Sequence, residues 1–181
     1  MVDEMKINPK ALEISPTSLP SDDDVVFPGS AFFRDHGAHA ELPTPAMVRE
    51  ESIRPKNLSG CWAHKPWAVP FFSMKLLVKY GSSLSIAEGQ CLWAIRKALG
   101  QDIPVPEVYG WRRDGNEVFI YMQLIEGQTL EDIWDKLAQT DRALIRRQLR
   151  HIVTSLRSLR QASGDPFIGK FWLSYRVAIK S

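Results

Sequence analysis

Cysteine is scarce in these 181 residues: Cys61 and Cys91 are the two present. Two thiols build no disulfide framework, so a reducing compartment is the default expectation. Long apolar runs are missing as well, and nothing approaches the ~18 residues that a bilayer-spanning helix needs. The opening stretch, MVDEMKINPK, lacks the apolar core of a secretory signal. Neither sign of charge is in excess: 23 basic and 21 acidic side chains leave a formal net charge of +2, which demands neither a nucleic-acid nor a membrane partner. No internal repeat occurs at solenoid periods. These absences lead to the expectation of a soluble, cytoplasmic chain. Its 44% apolar content suffices for one domain with a real core, or a domain plus a tail.

What is present begins with a polar stretch. Pro9, Pro16 and Pro20 punctuate it, and Ser21-Asp22-Asp23-Asp24 adds like charges, so little fixed structure is expected over residues 1–27. Phe32 and Phe33 mark a segment that docks onto something. Thr44-Pro45 reads as an N-cap with proline at N1, opening a short helix through Met47 and Val48. Residues 51–68 read as irregular, with Trp62 and Trp67 packed on the domain surface. Val69-Pro70-Phe71-Phe72 and the run from Met74 to Lys79 read as two strands around a tight turn near Ser73.

A helix follows, with Leu84, Leu92, Ile95 and Leu99 as its stripe and Gly100 as its C-terminal cap. Cys91 reads as a small core residue of this helix. Two prolines hold residues 103–109 extended. Asp114-Gly115-Asn116, between Trp111-Arg112-Arg113 and Val118-Phe119-Ile120-Tyr121-Met122, is a hairpin signal. Thr129 caps a helix carrying Leu130, Ile133, Trp134 and Leu137. A longer helix has its stripe at Ile145, Leu149, Ile152, Leu156 and Leu159, and Gly164-Asp165-Pro166 ends it. Strands, helix, strands, connector and helices in that order make an α+β pattern.

The stretch over residues 76–99 carries the chemistry. Lys79 ends an apolar strand, and Glu88 falls on the stripe of the helix after it. A carboxylate on a core-facing stripe is costly unless a cation meets it. Two readings of Glu88 stay open from these residues alone. In one, Ser85 and Glu88 form a capping box and Lys79 is an ordinary strand-end lysine. In the other, Glu88 holds Lys79 and leaves its ammonium aimed at phosphate oxygens.

Two further constellations have simpler explanations. His36-x-x-His39 and Cys61-x-x-His64 have spacings plausible for a structural zinc site, and four unrelated loop residues are the simpler explanation. Arg142, Arg146, Arg147, Arg150, Arg157 and Arg160 make the long helix basic; a solvated face opposite its apolar stripe accounts for them without nucleic acid.

The order of elements, with these residues in it, resembles the aminoglycoside phosphotransferase-like branch of the protein-kinase-like fold, closest to its fungal members. Leu77-Val78-Lys79-Tyr80-Gly81 is similar to the family's lysine strand, and Ala87-Glu88 to the partner glutamate. Ile103-Pro104-Val105-Pro106-Glu107-Val108-Tyr109-Gly110 is similar to the extended approach to the next strand. Residues 121–130 are similar to the hinge between lobes, and residues 149–160 to the first long helix of the second lobe. Ser30-Ala31-Phe32-Phe33-Arg34 and Leu42-Pro43-Thr44-Pro45 have the look of the same subgroup.

The resemblance implies a division and a set of roles. Residues 1–27 are a tail, 28–122 a nucleotide-binding lobe of antiparallel sheet plus one helix, and 123–181 the hinge and part of a helical second lobe. ATP is the implied cofactor. Lys79 holds its α/β-phosphate oxygens and Glu88 holds Lys79. Met122 lines the back of the adenine pocket. The carbonyl of Gln123 and the N–H of Ile125 pair with the adenine edge, and Glu126 reaches the ribose.

The chain departs from that family in two places. No G-x-G-x-x-G loop precedes Lys79. No histidine among His36, His39, His64 and His151 is followed two places later by aspartate, and no aspartate follows Asp165. The base, its asparagine neighbour and the metal-holding aspartate of phosphoryl transfer are therefore not in this sequence. Mg²⁺ is then expected to be held by the nucleotide alone, with no efficient turnover. The stripe over residues 141–160 is expected to face water or another chain, through self-association or a partner protein.

Overall fold

The computed structural model describes residues 13–37, 39–54, 66–100 and 103–161. Its centre is a five-stranded antiparallel sheet, in the spatial order β2-β5-β6-β4-β3. The strands are β2 (Asp24–Val26), β3 (Trp67–Phe71), β4 (Leu76–Gly81), β5 (Val108–Asp114) and β6 (Glu117–Gln123). A separate two-residue strand, β1 (Glu13–Ile14), pairs in parallel with β7 (Arg160–Gln161).

Turn chemistry sets the hairpins. Gly115, at φ +62°, makes the left-handed turn that lets Asp114 pair with Glu117. Between β3 and β4 the chain turns through a 3₁₀ segment, Phe72–Met74, and closes with Lys75 in the left-handed region. Pro70 sits inside β3 without harm because β3 is an edge strand.

Helices cover both faces of the sheet, where one helix was expected. On one face α1 (Ala31–His36) and α2 (Pro45–Ser52) bring Phe32, Phe33 and Val48 onto Val69, Leu76, Val78, Tyr80, Phe119 and Tyr121. This is the surface onto which the Phe32-Phe33 segment docks. Thr44 caps α2 as read, accepting from the Met47 N–H at 3.3 Å. Arg49 of α2 then clamps the β5–β6 turn, at 2.7 Å from both Asp114 and Glu117. On the other face α3 (Ile86–Leu99) covers Trp111, Val118, Ile120 and Met122. It lies so close that a Cβ on Gly89 would stand 2.9 Å from the Trp111 ring.

Residues 24–26 lie inside the expected tail, and they form an edge strand of the sheet. The acidic run finds its partners on β5. The Trp111 indole donates to the Asp22 carbonyl at 2.9 Å, and the Arg113 guanidinium meets the Asp23 carboxylate at 2.9 Å. Like charges that repel in a bare chain are here offset by Arg112 and Arg113, some 90 residues away in sequence.

The helical part also differs in detail. The helix capped by Thr129 runs only over Leu130–Ile133 (α4) before tightening into a 3₁₀ turn at Trp134–Lys136. The long helix, α5, spans Gln139–Ser158 and buries none of its residues. It ends before Gly164-Asp165-Pro166, which lies outside the described residues, as do Trp62, Cys61 and His64. Among the described residues no helix is long and apolar enough to cross a membrane.

Candidate functional site

Strand alternation places Lys79 on the α3 face of β4. Its cross-strand partner is Ile120, and Leu77, two residues earlier on the same face, stands opposite Met122. Met122 is therefore the diagonal neighbour of Lys79, about 7–8 Å away between Cα atoms by sheet geometry. It is 5% exposed and belongs to the core under α3.

The first turn of α3 brings Glu88 to the lysine. Nζ of Lys79 lies 2.5 Å from Oε1 of Glu88, with the two side chains 32% and 40% exposed. Glu88 is not on the buried face of α3, where its place on the apolar stripe had put it. The buried positions of α3 are Ile86, Gly89 and Ala94, so the carboxylate sits at the rim of the helix–sheet interface and not within it. Cys91, read as core, is likewise exposed. Leu84 and Leu92 of the expected stripe do pack in the core under α3, while Ile95 and Leu99 are not among its buried residues.

The two readings of Glu88 separate in the geometry. Ser85 caps α3 by accepting from the Ala87 N–H at 3.2 Å, one residue short of a capping box. The Glu88 carboxylate goes to Lys79. An ammonium has three N–H donors, and only one of them meets Glu88. With a third of the lysine side chain exposed, the remaining donors can reach an anion arriving from solvent.

The hinge positions fall in the segment leaving β6. Gln123 is committed to structure: its N–H donates to the Glu107 carbonyl at 2.8 Å, and its Oε1 accepts from the Glu107 N–H at 3.4 Å. The Leu124 N–H donates to the Lys75 carbonyl at 3.0 Å. The next residue, Ile125, is 62% exposed, and its N–H has no partner among the described residues. Glu126 is exposed and makes no hydrogen bond or ion pair there. Leu77 was missed in the sequence reading. Strict alternation from Lys79 puts it on the lysine's face of β4, opposite Met122.

A cavity of about 250 Å³ opens elsewhere, where the last turns of α3 meet residues 27–30 and the approach to β5. No group of three or more His, Cys, Asp or Glu side chains placed to hold a metal ion occurs among the described residues. His36 is tied into α1, its Nδ1–H donating to the Phe32 carbonyl at 2.9 Å. On the α1/α2 side, burial pushes the Tyr121 phenol up to about 12. Its hydroxyl has no hydrogen-bond partner among the described residues.

Compared with known proteins, the chain matches no family model, no curated protein and no solved structure.

Proposed function

We propose that this chain is the nucleotide-binding lobe of an aminoglycoside phosphotransferase-like protein of the protein-kinase-like fold, with part of the second lobe attached. The observation that carries the reading is the Lys79–Glu88 pair at 2.5 Å on one face of an antiparallel sheet. Capping and strand-end solvation, the plain alternatives, do not require those two side chains to meet. Two further features fit ATP: N–H directions on Lys79 that Glu88 does not use, and the Ile125 N–H, which has no partner among the described residues. In this reading Lys79 neutralises phosphate charge, Glu88 holds the lysine in place, and the hinge backbone orients the base.

Complete proteins of that family transfer the γ-phosphate of ATP to a hydroxyl on a small molecule. Residues 1–181 carry no H-x-D pair. In this reading, without that pair, the chain binds nucleotide without efficient turnover. Calorimetric titration with Mg-ATP tests the binding: saturable heat that weakens at least tenfold in Lys79→Met is the expected result. Equal affinity of the wild type and Lys79→Met would remove the site. Lys79-dependent phosphate release at a sustained rate would overturn the inactivity.

A second reading rests on α5, which buries no residue and exposes Leu144, Leu149 and Val153 by 44–46%. The chain would then be a non-enzymatic module that associates through this helix. Sedimentation separates the two: a dimer indifferent to nucleotide favours the module.

A further inference from the structure

At the far end of α3 from Glu88, the side chains around the 250 Å³ cavity form a set that packing alone does not account for. Phe27 and Trp93 stack on one another at 5.9 Å between centroids, 19° from parallel, and both line the cleft. The Lys97 ammonium lies 4.6 Å from the centroid of the Trp93 ring, with no carboxylate partner among the described residues. Arg96 also lines the cleft, 3.7 Å from Glu107. That contact largely cancels one charge of each sign and leaves the cleft with a net positive charge from Lys97.

The fourth element is an orphan. Ser30 lines the cleft at 4% exposure, and its hydroxyl is buried with no hydrogen-bond partner among the described residues. Glu107 already serves the backbone beside it, accepting from the Ala31 N–H at 3.3 Å. A buried hydroxyl without a partner is costly and calls for one.

Size selects the ligand. Sites for drug-sized molecules run from about 300 to 1,000 Å³; a cleft of about 250 Å³ matches a single ring with a small substituent. We propose that this cleft binds a small planar carboxylate, its ring against the edges of Trp93 and Phe27 and its anion shared by Lys97 and the Ser30 hydroxyl. The site is independent of the Lys79 reading and survives or fails without it.

Benzoate is the probe, titrated calorimetrically into the full chain, with benzamide as its neutral isostere. A ligand of this size binds with a Kd of about 0.1–10 mM. The expected result is saturable benzoate binding, at least fivefold weaker benzamide binding, and at least fivefold loss in Lys97→Gln. Lys97 is exposed, so that variant keeps its fold, and an unchanged melting temperature checks this. Ser30→Ala should weaken binding about threefold. Two results overturn the proposal: no saturable heat up to 50-fold above about 1 mM, which leaves the cleft to ordered water, or benzoate binding untouched by Lys97→Gln.

Discussion

Coupling between Lys79 and Glu88 can be measured directly, and the structure sets its size. At 2.5 Å two unit charges attract by about 1.7 kcal/mol in bulk-water dielectric. The side chains are 32% and 40% exposed, so the environment lies near that limit, and ordering two flexible side chains offsets part of the gain. Exposed pairs of this kind contribute about 0.2–1 kcal/mol. A double-mutant cycle of Lys79→Met, Glu88→Gln and both together is therefore expected to show a coupling of about 0.5–1 kcal/mol in urea unfolding. At 2–4 °C per kcal/mol for a chain of this size, the melting shift is about 1–4 °C. Affinity for Mg-ATP should respond more strongly than stability. Glu88→Gln alone should weaken binding about three- to tenfold, because the ammonium loses its anchor. In a Lys79→Met background the same change should do nothing further, since Glu88 acts only through Lys79. Coupling below about 0.2 kcal/mol would refute the reasoning. So would an Glu88→Gln effect on ATP that persists without Lys79.

Other outcomes follow from the packing. A Cβ on Gly110 would run into the Val25 carbonyl and stand 3.3 Å from the Val26 Cα. Gly110→Ala should therefore release β2, costing about 1–3 kcal/mol, seen as lost hydrogen-exchange protection at the Phe27 amide while β4 and β6 stay protected. Arg49→Met removes two ion pairs and a cation–π contact to Phe119 at 5.0 Å. The pairs are partly exposed, so the loss should be about 1–2 kcal/mol in urea unfolding. Tyr121 is fully buried and its phenol titrates at about 12, above the ordinary value of about 10. The folded state thus holds its proton longer than the unfolded chain. That contribution is whole below pH ~10 and fades as pH rises towards ~12, by about 2–3 kcal/mol. Tyr121→Phe should flatten this alkaline loss, read as urea midpoints across the pH range, and should be neutral or stabilising at pH ~8 because the hydroxyl it removes has no partner among the described residues.

Much of this protein was set by local chemistry. Thr44-Pro45, Gly100 and Asp114-Gly115-Asn116 act within a few residues of themselves, so the α2 cap, the α3 terminus and the β5–β6 turn were legible in order of sequence. Lys79 and Glu88, nine residues apart, were legible as candidates for the same reason. Long-range contacts decided the rest. Whether Asp22, Asp23 and Asp24 repel or pair depended on Arg112 and Arg113, which only the sheet brings to them. Which face of α3 is buried depended on the close approach of Gly89 to Trp111, and a period drawn from the apolar residues alone does not see a glycine as a contact. The cleft beside Trp93 joins residues 27–30 to Glu107 and the last turns of α3, and no spacing in the chain announces it. Caps, turns and alternation are properties of neighbouring residues; charge pairing, helix rotation and cavities are properties of surfaces that meet only after the chain has folded.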